Sequence, residues 1–402
     1  MALLQVSEAL ARVLANENPL PIENAPLAEA HGRVLAADLA ALRTQPPANL
    51  SAMDGYAVRG ADVAQAPAWL KLVGEVAAGR PFDGTIGPGE AARIFTGGML
   101  PLGADTVVIQ EQVERTGDAV VILKPSSPGR NVRLEGLDFK AGEPLLAKGH
   151  RLTARDLALA ASMNHATVPT YRRPKVAMLA TGDELVMPGR TPGMGQIVYS
   201  NGFALMALAR SEGADVIDLG IAPDRQDVTM AAIGRARRWG ADILLTAGGA
   251  SVGDYDLVQQ SLTALGLDLS FWRVALRPGR PLLHGRLGDM RVLGVPGNPV
   301  SAYVCAFLFL VPLIRHLAGR TDLSPLPESA VLGIGLAKND ERTDYLRATL
   351  VARDGKWVAT PFPVQDSSML TPLANADCFI VRAPFAPAAA AGTRCDIIRL
   401  GL

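Results

Sequence analysis

Apolar positions divide the chain into three stretches of different texture. The first, residues 1–173, opens with a helix-like pattern over Val6–Asn16. Short apolar runs of β type follow at Leu70–Val76, Ala92–Phe95, Thr106–Gln110 and Ala119–Leu123. They are broken by Arg80-Pro81, Gly87-Pro88-Gly89 and the stretch Pro125–Gly129, where proline and glycine stop regular structure. A second helical pattern covers Thr153–Asn164, with Thr153 placed as N-cap and Asp156 in the first turn. This region reads as helical linker segments around an inserted β-rich domain.

The second stretch, residues 174–322, alternates the two periods. Strand runs are expected at Lys175–Ala180, Ala214–Leu219, Ile243–Thr246 and Val292–Val295. Helices are expected over Asn201–Ser211, Asp227–Trp239, Tyr255–Leu265 and Pro299–Leu317. Strands alternating with helices imply right-handed crossovers and a mostly parallel sheet covered on both faces, a three-layer α/β domain. The third stretch, residues 323–402, follows the turn-rich Ser324-Pro325-Leu326-Pro327. Its short runs Ala330–Leu336, Tyr345–Val351, Trp357–Thr360 and Cys378–Val381 predict a small β-barrel or sandwich. The fold class is therefore multidomain, α/β plus β.

Composition narrows the function more than the fold. The 402 residues carry 39 basic and 39 acidic side chains, so no net field draws in nucleic acid or anionic lipid. An anionic ligand must be held locally. The three cysteines, Cys305, Cys378 and Cys395, show neither zinc spacing nor a disulfide framework, which fits a reducing cytoplasm. Met1–Asn18 lacks the pattern of a signal peptide. The longest apolar run, Val300–Ile314, is short for a membrane span and contains Pro312, so a buried helix is expected.

An open α/β sheet binds ligands beyond the carboxyl ends of its strands, which points to four loops. Thr181-Gly182-Asp183-Glu184 places two acids at a strand end, an arrangement that a capped turn explains equally well. Gly248-Gly249-Ala250-Ser251-Val252-Gly253-Asp254-Tyr255-Asp256 joins glycines to two aspartates. Its backbone N–H groups suit a phosphate, and Asp254 and Asp256 suit Mg²⁺, although Asp254 as a plain helix cap is the alternative. Arg273, Arg277 and Arg280 cluster around Arg277-Pro278-Gly279-Arg280-Pro281 and offer planar donors for an oxyanion, or simply a solvated loop. Pro296-Gly297-Asn298-Pro299-Val300-Ser301 supplies a cap at Asn298 and a first helical residue at Pro299, with a rigid backbone in front.

Acids paired with arginines point the same way, since a metal plus arginine is the usual electrostatic solution for phosphoryl or pyrophosphate cleavage. No GxxxxGK[ST] pattern is present, and the five histidines have no metal-binding spacing. In the first region, Pro46–Ala57 holds Asp54 beside a glycine, and Ile94-Phe95-Thr96-Gly97-Gly98 ends a strand in a hydroxyl. Each is also what a structured turn contains.

Taken together, SAMDGYAV (Ser51–Val58), FTGG (Phe95–Gly98), TGDEL (Thr181–Leu185), GGASVGDYD (Gly248–Asp256), RPGRP (Arg277–Pro281) and PGNPVSA (Pro296–Ala302) resemble the molybdopterin molybdenumtransferase family, MoeA, which includes the gephyrin E domain. The resemblance runs nearly end to end. It implies a homodimer with its active site in a cleft at the subunit interface, a central molybdopterin-binding fold, and a Mg²⁺-assisted reaction. That reaction takes adenylyl-molybdopterin and molybdate, releases AMP and leaves molybdenum on the dithiolene. The family's functional acids match Asp54, Asp138, Glu184, Asp224 and Asp256, and its hydroxyl matches Thr96. Arg273 and Arg277 stand where lysine is common, keeping charge but changing donor geometry. Pro296 and Pro299 match a proline pair. Arg347 and Ser367 are the nearest matches in the last domain, where Gln365-Asp366-Ser367-Ser368 departs from the family pattern.

On that resemblance the Gly248–Gly253 loop, with Gly249 and Ser251, holds a phosphate. Glu184 and Asp256 hold Mg²⁺. Arg273 and Arg277 take molybdate or the AMP phosphate. Asp54, Thr96 and Asp138 complete the cleft. A transient contact with a molybdopterin adenylyltransferase is implied, with no nucleic acid and no membrane. Two alternatives are an adenylyltransferase, which would need only the middle domain, and a non-catalytic dimeric scaffold.

Overall fold

A computed structural model describes residues 3–248 and 257–401. The middle stretch forms a six-stranded sheet ordered Asp215–Ala222, Lys175–Thr181, Ile243–Ala247, Met290–Val295, Pro281–Leu287, Asp268–Arg273. The first four strands are parallel. The last two add antiparallel, a mixed edge on the expected parallel sheet. Strand side chains alternate between two cores. Val176, Met178, Ile243 and Leu245 enter one, with the helices Val6–Leu14 and Asn201–Ser211. Ala177, Leu179 and Leu244 enter the other, with Gln226–Trp239 and Leu257–Ala264. This period of two, apolar on both sides, is what places helices on both faces.

The apolar run Pro299–Leu317 belongs to the first core. It is long and apolar enough to cross a membrane by composition, yet 89% of its most apolar window is buried inside the protein. Pro299 occupies the first helical turn, where its missing N–H is harmless. The helix widens into a π turn over Ala306–Leu310 just ahead of Pro312, which cannot donate the next ladder bond.

In the first stretch a six-stranded sheet spans Gly55–Val58 to Ala119–Ile122 in sequence. It is an insertion between segments that pair with each other: Ile22–Pro26 with Thr167–Tyr171, and Leu39–Ala40 with Pro144–Leu146. The helix Ala154–Ser162 begins as expected, with Asp156 Oδ2 accepting from the Thr153 N–H at 2.7 Å and from its hydroxyl at 2.6 Å.

In the last stretch, Thr343–Arg353, Lys356–Pro361, Glu328–Leu332, Arg394–Arg399 and Cys378–Arg382 pair in turn, and the last closes on the first to make a five-stranded barrel. Leu276–Arg277, from the middle stretch, adds alongside Thr343 and Asp344. Cys305, Cys378 and Cys395 are all free and buried.

Candidate active site

The carboxyl ends of the four parallel strands open onto a cleft of about 930 Å³. Thr181, Gly182, Glu184, Asp224, Ala247, Gly248, Pro296, Gly297, Asn298 and Pro299 line it. Of the sequence-expected residues, the structure therefore gathers Glu184, Asp224, Gly248, Pro296, Gly297, Asn298 and Pro299 in one place.

The glycines are there for measurable reasons. Gly248 has φ +92°, and a Cβ on it would lie 2.6 Å from the Thr181 carbonyl oxygen. At Gly182, φ is +141° and a Cβ would meet the Glu184 carboxylate at 2.3 Å. Bare backbone at these turns keeps the cleft open and leaves Glu184 room beside it. Gly297 faces Gly248 across the cleft, its Cβ direction ending 3.9 Å from the Gly248 Cα.

A strap over residues 197–201 closes one side. The Ile197 N–H donates to the Glu184 carbonyl at 2.7 Å, and Asn201 Nδ2 donates to the Gly297 carbonyl at 2.7 Å. Glu184 and Asp224 are exposed carboxylates with no ion-pair partner among the described residues. The Asp224 N–H donates to Asp183 Oδ1 at 3.1 Å, which ties the two loops.

Asn298 takes the N-cap position, but its side chain makes no capping bond. It donates instead to Ser367 Oγ at 2.9 Å, and the Ser367 carbonyl accepts from the Val300 N–H at 3.0 Å. The barrel is thereby stitched to the helix start, and Ser368 and Leu370 become part of the cleft wall. Ser301 is buried in the helix behind.

Arg347 lies behind that wall. It is 1% exposed. Gln365 Oε1 accepts from its Nε at 3.2 Å and its N–H at 3.0 Å, while Nη1 donates to the Met369 carbonyl at 3.1 Å. Nη2 has no partner, and no carboxylate of a described residue pairs with the group. Burial lowers its pKa below the ordinary arginine value.

Other expected residues lie elsewhere. Asp54 Oδ1 accepts from the Thr96 N–H at 2.7 Å and from its hydroxyl at 2.8 Å. These bonds hold the Asp54 carboxyl below its usual range. The pair is exposed on the inserted sheet and is not among the residues lining the cleft. Asp138 is also exposed, its N–H donating to the Gln45 carbonyl at 3.0 Å.

The arginine segment connects two strands and carries the two-residue strand Leu276–Arg277 within it. Arg273 ends an edge strand and Pro281 begins the next. Arg273 and Arg280 turn with Arg12 into a separate cavity of about 1030 Å³. Arg277 is held by Asp344, by Asp340 at 3.0 Å and by Asn339 at 2.9 Å, so its charge docks the barrel onto the middle domain. Gly249, Ser251, Gly253, Asp254 and Asp256 lie outside the described residues.

Three family models match in order along the chain: the MoeA N-terminal region (domain I and II) over residues 4–164, a probable molybdopterin binding domain over 177–316, and the MoeA C-terminal region (domain IV) over 329–400. The molybdopterin molybdenumtransferase of Haemophilus influenzae is 36% identical over 366 residues, covering 90% of each chain. That of Bacillus subtilis is 36% identical over 387 residues, covering 94% of this chain and 90% of its own. The chain belongs to the molybdopterin molybdenumtransferase (MoeA) family. The crystal structure of a molybdopterin biosynthesis MoeA protein from Pyrococcus horikoshii superposes over 100% of both chains with TM-score 0.85 at 31% identity.

For this MoeA family member, sequence reasoning missed the strap 197–201 and the bracket around Arg347. Asn201 gave one signal, standing at the start of a helical pattern with no apolar position to fill. Gln365 gave none that spacing alone could reveal, since it lies 18 residues from Arg347.

Proposed function

We propose that the chain inserts molybdenum into molybdopterin, taking adenylyl-molybdopterin and molybdate and releasing AMP. The observation that carries this is one cleft with two unpaired carboxylates, Glu184 and Asp224, at its mouth and a buried, unpaired guanidinium, Arg347, behind its wall. Bare backbone at Gly182, Gly248 and Gly297 lets a planar, phosphate-bearing substrate approach closely. Arg347 adds positive potential for an oxyanion from a site that water screens poorly.

Magnesium fits the donors. Glu184 and Asp224 offer hard oxygen in a donor set of few carboxylates. Mg²⁺ prefers this situation, since it keeps several waters and takes few protein carboxylates. Glu184, with Asp256, would hold it, and when bound it supplies charge neutralisation to a pyrophosphate. Arg273 and Arg280 would serve oxyanion approach through the second cavity.

The working unit is a homodimer in which the partner copy brings Asp54, Thr96 and Asp138 to the cleft. The Asp54–Thr96 pair stands free, and the exposed apolar side chains Met53, Met99, Leu134 and Leu137 on the same turns suit a covered interface. The protein works in the cytoplasm, where free thiols persist, beside the adenylyltransferase that feeds it. Subunit mixing tests this arrangement. Asp54→Ala and Glu184→Ala homodimers are each inactive, and reassembled mixtures regain part of wild-type turnover. No recovery would place both residues in one subunit's site. Pyrophosphate release from ATP and molybdopterin would move the reading to the adenylyltransferase step.

A further inference from the structure

Arg347 is unusual in having no anion beside it. A fully buried guanidinium normally has a carboxylate partner, because an unpaired charge in low dielectric is strongly disfavoured. Here a neutral side chain takes that place. The Gln365 carboxamide makes four hydrogen bonds around Arg347. Its Oε1 accepts from the Arg347 N–H at 3.0 Å and from Nε at 3.2 Å. Its Nε2 donates to the Arg347 carbonyl and to the Phe362 carbonyl, both at 2.9 Å. Every donor and acceptor of the amide faces a complementary group, so its orientation is set without ambiguity. Among the described residues, the one carboxylate that acts on Arg347 electrostatically, Asp366, is exposed and turned to the Ser368 N–H and hydroxyl at 2.8 and 2.6 Å. The result is a guanidinium fixed in place with its charge uncancelled and Nη2 unengaged, one layer behind Ser368 and Leu370 of the cleft wall.

We infer that Gln365 is a positioning residue for the transfer reaction, a neutral bracket that orients Arg347 while leaving its positive charge available to the molybdate oxyanion. A glutamate of the same shape would pair with the guanidinium and cancel that field. An alanine would loosen the group but leave the charge. The inference rests on the proposed role of Arg347 in oxyanion binding, and the test separates the two.

Molybdate binding to the purified dimer is measured by equilibrium dialysis with metal quantification, beside steady-state kinetics and thermal unfolding, for Gln365→Glu, Gln365→Ala and Arg347→Gln. Charge-assisted contacts are worth enough that Gln365→Glu is expected to weaken molybdate binding about ten- to a hundredfold and to raise KM for molybdate with kcat little changed. Gln365→Ala loses less, although it removes the same bracket. Equal losses in both variants, tracking their unfolding temperatures, would reduce Gln365 to a structural residue and overturn the inference. If Arg347→Gln binds molybdate like wild type, the underlying reading fails. If Arg347→Gln loses binding while both Gln365 variants keep it, only the bracket fails. Should Gln365→Glu not fold, Gln365→Met, neutral and of similar length, decides alone. It retains charge and is expected to bind molybdate within a few-fold of Gln365→Ala, and a loss as deep as that of Arg347→Gln would contradict the bracket.

Discussion

Gly248→Ala probes the cleft most sharply, because its cost can be worked from the structure in two parts. An alanine held at φ +92° bears the left-handed penalty, roughly 1–2 kcal/mol. Its Cβ would also lie 2.6 Å from the Thr181 carbonyl oxygen, backbone that cannot rotate away, and overpacking of this kind adds about 1–3 kcal/mol. Gly240→Ala is the matched control. Gly240 has φ +75° at the end of the helix Gln226–Trp239, with nothing within 4 Å of its added Cβ, so it bears the first part only. At roughly 2–4 °C per kcal/mol for a domain of this size, Gly248→Ala should lower Tm by about 4–20 °C and Gly240→Ala by about 2–8 °C. Turnover separates them further. Relief of the clash moves the Ala247–Gly248 turn or Thr181, both cleft-lining, and a displacement near 1 Å is worth about a hundredfold in rate. Gly240→Ala keeps wild-type kinetics. Thermal unfolding and kcat/KM on both variants are the assay. A Gly248→Ala protein as stable as the control and fully active would refute the claim that bare backbone shapes this cleft.

Asp54→Asn keeps an acceptor for Thr96 but removes the charge, so the protein should unfold at the wild-type temperature while turnover falls about a hundredfold or more, as removal of a preorganised electrostatic group does; unchanged kcat would remove Asp54 from the mechanism. Glu212→Ala strips a carboxylate that is 1% exposed from Arg315 and Arg320, at 2.7 and 2.8 Å; Arg320 keeps Asp322 but Arg315 is left without a carboxylate, a loss of about 3–5 kcal/mol readable by chemical denaturation. A shift below 1 kcal/mol would mean that the cluster relaxes freely. His284 is held below its ordinary pKa of 6.5 by burial, against the opposing bond to the Val292 carbonyl. Its folded pKa is depressed, so its contribution is present above pH 6.5 and is lost as pH falls through the folded value. Wild type should therefore lose Tm below pH 6.5 faster than His284→Leu, and parallel pH profiles would contradict this.

Much of the architecture is legible where one physical rule acts alone. The strands Lys175–Thr181 and Ile243–Ala247 are uninterrupted apolar runs because both faces are covered, and the Thr153–Asp156 box is a local bond pattern. The edge strand Asp268–Arg273 escapes because most of its residues are exposed, and its inner neighbour Pro281–Leu287 because it carries His284, Gly285 and Arg286. Without these two strands Arg273–Pro281 reads as one ligand loop, whereas Arg273 and Arg280 face a separate cavity. In the site, Glu184 and the glycine turns are legible from strand ends, whereas Asp224 is reached only through the family resemblance. The fate of Arg277 does not, because Asp340 and Asp344 reach it from 63 and 67 residues away. Arg347 appears in sequence as an ordinary arginine in a strand, and only the packing of Gln365 and Met369 around it shows a buried cation without an anion.

The most direct measurement combines the purified protein with adenylyl-molybdopterin, Mg²⁺ and molybdate, and follows AMP release and metal incorporation in the same reaction. AMP release that depends on molybdate, with active cofactor formed in step, is the predicted result. Binding of both substrates without AMP release or metal incorporation would contradict the account and leave the cleft as a binding surface.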